Sequence, residues 1–188
     1  PPHQGSLAQT TDSLRGAQRA TSIEAGQTRA RGVRGASASV ALIDSGADSS
    51  HPDIETSVVS QHCFQVFSTG TRPDGTDLQA GPGPGDDNDG HGTQMASLIA
   101  SDGGSTPIGT APDARLHVLR ITDRVAVDLR DVLLALDHIL DTQSPIDIVS
   151  MSLGSSARFP GVCERDLWPA FHDTIAALLA NGIFVTAS

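Results

Sequence analysis

The feature that most constrains this chain is a series of short apolar-rich runs, each too brief for a helix, separated by segments of helical period. Ser39-Val40-Ala41-Leu42-Ile43 is apolar without alternation and ends at the polar turn Asp44-Ser45-Gly46, as expected of a strand buried on both faces. Leu116 to Ile121, Ile146 to Met151 and Ile183 to Ala187 read the same way, and Val58 to Phe67 is a further, alternating strand. Between them lie helices. Leu129, Val132, Leu133, Leu136 and Leu140 share one face behind Asp128, an expected N-cap. Trp168, Phe171, Ile175, Leu178 and Leu179 form a second stripe that stops at Asn181-Gly182. A third stripe is Met95, Leu98 and Ile99, with Ala96 and Ala100 giving a slim second face for close packing. Strand and helix therefore alternate. That order predicts an α/β fold with a mostly parallel sheet between two helical layers, and functional groups at the carboxyl ends of the strands.

A length of 188 residues fits about one domain. With 38% hydrophobic and 18% charged residues the chain is globular rather than an acidic disordered one. A net charge of −10 speaks against a nucleic-acid-binding face, which needs a basic patch. No apolar run approaches the ~20 residues of a bilayer span. Residues 1–20 are polar and read as an arm or tail, with the domain proper at 21–188. The chain begins Pro1-Pro2 without Met, so its natural start is expected upstream. Cys63 and Cys163 lack zinc-type spacing and leave two readings open, one disulfide or two buried thiols.

The residues with chemistry sit at the turns. The stretch from Gly81 to Gly90, rich in Gly, Pro and Asp, cannot be helix or central strand, so His91 is presented from a loop at the mouth of a helix. By itself Gly90-His91-Gly92 is a turn that caps a helix, Asp44 is a turn aspartate, and Ser152-Leu153-Gly154 is a strand end. Together they are more. Val40-Ala41-Leu42-Ile43-Asp44-Ser45-Gly46 with His51-Pro52-Asp53, then Gly90-His91-Gly92-Thr93 with Ala96, then Met151-Ser152-Leu153-Gly154, stand in one order. That order, and the run Gly182 to Ser188, resemble the subtilisin-like serine proteases (subtilases), whose triad runs Asp, His, Ser along the chain.

The resemblance covers roughly residues 20–188 and implies the N-terminal part of a three-layer peptidase domain. Asp44 would orient the imidazole and His91 would act as general base, because a serine hydroxyl needs a neighbouring base and an imidazole titrates near neutrality. Ser152, Leu153 and Gly154 would pair with a peptide or protein substrate as an added strand, Gly154 leaving room for a side chain. The segment Arg124 to Val127 would face it. No cofactor is implied for the chemistry. Asp53 falls where many subtilases bind a structural calcium, against the plainer reading of a solvated acidic loop; the nearby 101–105 loop offers only Asp102 as a further acid. Asp86, Asp87, Asn88 and Asp89 are another oxygen-rich candidate for a hard cation. The other histidines show no ligand spacing.

Departures are visible too. Gln94 stands where the family usually has histidine, and Ser97 and Ser155 where glycine is usual. The nucleophilic serine and the oxyanion asparagine are expected beyond residue 188, on a missing C-terminal half, so this chain alone is expected to be inactive. The family also implies secreted or periplasmic action. The rival reading is a pseudoprotease or regulatory half that binds peptides without cutting them.

Overall fold

The computed structural model describes residues 23–68, 79–80, 83–122, 127–142, 145–154 and 168–187. The expected arm at 1–20, the segment 124–126, Ser155 and Cys163 lie outside them, and with Cys163 the question of a disulfide.

Strands β1 (Ser39–Asp44), β2 (Val58–Cys63), β3 (Gln79–Ala80), β4 (Arg115–Arg120), β5 (Ile148–Met151) and β6 (Phe184–Ala187) form one six-stranded sheet. Its order is β3-β2-β4-β1-β5-β6, parallel throughout except for the short antiparallel β3. The helices are α1 (Ala25–Ala30), α2 (His91–Ala100), α3 (Leu129–Asp141) and α4 (Pro169–Ala180). The main strands and helices thus lie where the sequence pattern puts them. The short α1 is an addition, and so is β3, which falls within residues 70–90, a Gly-, Pro- and Asp-rich segment that the sequence predicts to be loop throughout.

β1 is the centre of the sheet, and all six of its residues are buried. Alternate side chains of a strand point to opposite faces, so β1 serves two cores. Val40 and Leu42, with Leu116 and Val118 of β4, pack against Ala96 and Ala100 of α2. Ala41 and Ile43, with Leu119 and Ile121, pack against Val132, Ala135, Leu136 and Ile139 of α3 and Leu178 of α4. Helices thus cover both faces, which makes the three layers. Each fully buried Leu or Ile of this kind contributes about 1.5–3 kcal/mol.

Two local features depart from the sequence pattern. The buried face of α2 is Gly92, Ala96 and Ala100, while Met95, Leu98 and Ile99 flank it half-buried. The small residues win because the helix lies so close to β1 that larger side chains cannot fit between them. And β2 ends at Cys63 rather than running to Phe67. Past Cys63 the backbone N–H groups of Val66, Phe67 and Ser68 turn away from the sheet to the carboxylate of Asp131, at 3.0, 3.0 and 2.7 Å. Asp131 lies in the first turn of α3 and is fully buried. The N-cap Asp128 accepts from Arg130 N as expected, at 2.9 Å, while its own N–H donates to Ser68 Oγ at 3.1 Å. Arg130 lies 4.0 Å above the Phe67 ring.

Because three N–H groups depend on one buried carboxylate, Asp131→Ala is expected to cost about 3 kcal/mol in urea unfolding. Asp131→Asn, which keeps one acceptor oxygen, should lose less. Equal losses for the two would mean that a single amide oxygen holds nothing and that the loop depends on the full carboxylate.

Candidate active site

The carboxyl edge of the sheet gathers the residues singled out in the sequence. β1 ends at Asp44, and the residue before it, Ile43, pairs with Met151 of β5. Asp44 and Ser152 therefore leave the sheet at the same edge. α2 meets that edge with its amino end. A Cβ on Gly92 would collide with the Gly46 carbonyl oxygen and would sit 3.1 Å from Asp44 Oδ1. Gly46 in turn has φ +115° and would, with a side chain, collide with the Gly85 carbonyl. Bare glycine backbones let α2, the end of β1 and the 83–90 loop touch, and that contact brings His91 to Asp44.

His91 Nδ1 lies 2.8 Å from Asp44 Oδ1. A carboxylate only accepts, so Nδ1 carries the hydrogen and donates it, and the Nε2 lone pair is left free. Nε2 has no partner among the described residues, and the imidazole is 44% exposed while Asp44 is only 3% exposed. Asp44 Oδ1 also accepts from Ser45 N at 2.7 Å, and Oδ2 is buried without a partner among the described residues. A fixed tautomer with an open Nε2 can take a proton from a hydroxyl and hand it on.

Sequence reasoning missed Asp87 as part of this edge. Its Oδ1 accepts from Ser45 Oγ at 2.9 Å, Gly90 N at 2.9 Å and Asp89 N at 3.0 Å. Its Oδ2 accepts from Thr93 N at 2.8 Å and Thr93 Oγ1 at 2.6 Å. Gly90, the N-cap of α2, has no side chain to offer, and Asp87 supplies the acceptor instead. Burial pushes the Asp87 carboxyl up, but the Thr93 hydroxyl and the Gly90, Thr93 and Asp89 N–H groups outweigh it and hold it below the ordinary value. The loop bearing Asp87 is itself tied down, by Ala47 N to Gly85 O at 2.7 Å and by the buried Arg120 to Asp86 O at 2.7 Å. A signal was present in the sequence: a glycine N-cap behind a run of acids needs one of those acids as its acceptor.

Ser152, Leu153 and Gly154 continue past β5 without strand pairing of their own among the described residues. Leu153 rests against the α3 core, and a Cβ on Gly154 would meet no atom within 4 Å among the described residues.

Asp53 is 2% exposed, and its carboxylate is met by donors from the loop after α2. Ser105 Oγ and N lie 2.9 Å from Oδ1, and Thr106 N and Oγ1 both lie 2.6 Å from Oδ2. The carboxylate is thus satisfied by protein donors, and among the described residues no group of three His, Cys, Asp or Glu could hold a metal. Burial opposes the Asp53 charge, yet the Thr106 and Ser105 donors outweigh it and carry the carboxyl well below the usual range. A depressed folded value stabilises the protein above the unfolded value of about 3.9 and ceases to do so as pH falls through the folded one. Asp53→Asn is therefore expected to lower stability at neutral pH, with the gap to wild type shrinking as pH drops below about 4. Urea unfolding across pH 2–7 checks it; a gap that persists unchanged to pH 2 would remove the charge from the explanation.

The parallel α/β sheet thus brings a buried carboxylate and an open imidazole together at its carboxyl edge. Residues 35–188 match the Subtilase family, and the chain belongs to that family. It is 30% identical over 145 residues to the "Major intracellular serine protease" of Bacillus subtilis (strain 168), covering 76% of this chain and 42% of that protein. It is 30% identical over 160 residues to the "Intracellular serine protease" of Paenibacillus polymyxa, covering 85% and 41%. Among solved structures, "Sphericase" aligns with a TM-score of 0.61 at 27% identity, over 81% of this chain and 46% of that one. The chain thus spans less than half the length of these relatives.

Proposed function

We propose that this chain carries the acid and the base of a serine endopeptidase whose nucleophile lies beyond residue 188. The observation that carries the reading is the 2.8 Å bond from His91 Nδ1 to the buried Asp44, which leaves Nε2 open toward solvent. His91 Nε2 takes the proton of the attacking serine hydroxyl and returns it to the leaving amine, while Asp44 fixes the tautomer and stabilises the imidazolium. Ser152, Leu153 and Gly154 pair with the peptide backbone, and the open space at Gly154 receives the side chain next to the cleaved bond.

The partner that completes the site is the remainder of the peptidase domain. Supporting this, the outer side of α4 and β6 is apolar and open: Trp168 is 47%, Leu179 53% and Phe184 64% exposed, and β6 has a bare edge among the described residues. Calcium is not needed at Asp53, since its donors already satisfy the charge; millimolar calcium should leave the Tm difference between wild type and Asp53→Asn unchanged. The compartment is not set by the family, because two of the relatives are named as intracellular proteases. The sequence expectation of secretion therefore does not follow. No helix among the described residues is long and apolar enough to cross a membrane.

Fluorophosphonate labelling of the natively purified gene product tests the reading. Covalent label on a serine downstream of residue 188, lost in His91→Ala, supports it. A folded, complete product that takes no label would make it a pseudoprotease.

A further inference from the structure

We infer that Asp87 is a positioning residue that holds the Asp44 and His91 segments in register through Ser45. The inference rests on the peptidase reading for its effect on turnover, but the coupling itself is a property of the folded chain. The geometry closes a ring. Asp87 Oδ1 accepts from Ser45 Oγ at 2.9 Å, and the same hydroxyl oxygen accepts from Gly92 N at 3.0 Å. Ser45 N meanwhile donates to Asp44 Oδ1, the oxygen that receives His91 Nδ1. Gly90, on the other side of His91, donates to the same Asp87 oxygen. Gly90 and Ser45 are thus fixed directly to one carboxylate, across a sequence gap of 42 residues from Ser45, and Gly92 is fixed to it through the Ser45 hydroxyl.

A role confined to capping α2 would need only the bonds to Gly90 and Thr93. The bond to Ser45 reaches further: through the Ser45 hydroxyl it ties the end of β1 to Gly92 N in the first turn of α2. Nor can the contact relax by sliding, since Gly92 already touches the Gly46 carbonyl and the loop is pinned at Gly85 and Asp86. A half-buried carboxylate with five donors is also costly to replace by an amide. In Asp87→Asn one face can still accept, but the NH2 group would confront Thr93 N–H and Oγ1–H, which are donors.

The test reads the His91 ring directly, by ¹⁵N-edited NMR of the side-chain nitrogens in the full chain. Wild type should show the Nδ1–H tautomer with a slowly exchanging hydrogen-bonded proton. Asp87→Asn and Ser45→Ala should both lose that proton signal and show mixed tautomers, while Ser45→Thr, which keeps the hydroxyl, should restore it. In the gene product with the complete domain, Asp87→Asn and Ser45→Ala should lower kcat on the order of tenfold or more with little change in KM. If Ser45→Ala leaves the tautomer and the proton intact, Asp87 acts as a helix cap only and the inference falls. Should Asp87→Asn fail to fold, the Ser45 pair decides alone. If the ring signals change as stated and no proteolysis is found in any variant, the peptidase reading fails while the coupling stands.

Discussion

His91→Ala is expected to lower kcat for a fluorogenic peptide about 10⁶-fold, and Asp44→Asn about 10⁴-fold, the orders that loss of the same groups costs in subtilisin. The measurement belongs to the gene product that includes the downstream half. The two numbers differ for a physical reason. Without His91 no group among the described residues is placed to accept the proton, whereas Asp44→Asn leaves the imidazole in place and spoils its tautomer. An amide NH2 facing Nδ1 would donate to it and move the hydrogen to Nε2, the atom that must be free. Asp44 is buried and His91 is half-exposed, so the pair has no room to rearrange at the Asp44 side. Losses of less than about tenfold would mean that the proton goes elsewhere, because general base catalysis alone contributes about 10²–10⁴-fold.

Gly92→Ala is the largest expected effect on folding. Its methyl group would collide with the Gly46 carbonyl oxygen, and both partners are backbone, so no side-chain rotation relieves it. Overpacking of this kind costs about 3 kcal/mol or more, and α2 can escape only by moving off β1. That movement also parts His91 from Asp44, so activity should fall with stability. Gly154→Ala is the contrast: nothing described lies within 4 Å of the added methyl, and the stability change should stay within about 0.5 kcal/mol. Urea unfolding of the two variants side by side decides between them. Equal stabilities would show that α2 does not depend on its contact with Gly46.

What was legible in the sequence and what was not follow one rule. Patterns written within a few residues were readable: the apolar run of β1, the Asp128 cap of α3 and the stop at Asn181-Gly182 all lie where the sequence puts them. The Asp44 and His91 motifs were also readable, as a resemblance. Features made by distant donors were hidden. Asp131 works through Val66 to Ser68, and Asp87 through Ser45, both more than 40 residues away. Nothing beside Asp131 sets it apart from a solvated acid, and the glycine N-cap that points to an acid near Asp87 says nothing of Ser45. Asp53 shows the same limit, since Ser105 and Thr106, 52 and 53 residues on, decide whether it faces a cation or its own loop.

The place of β1 has a consequence for how the chain is made. Its strand partners are β4 and β5, and Ser39 pairs with Arg115, so no neighbour in the sheet exists until 76 further residues have been synthesised. At about 5–20 residues per second a largely apolar strand waits some 4–15 seconds without a mate on the ribosome. β4 arrives first and β5 later, and only with both are the centre of the sheet and the edge bearing Asp44 complete. During that wait an unpaired, largely apolar strand is open to aggregation, a cost that follows from the long sequence separation of its partners.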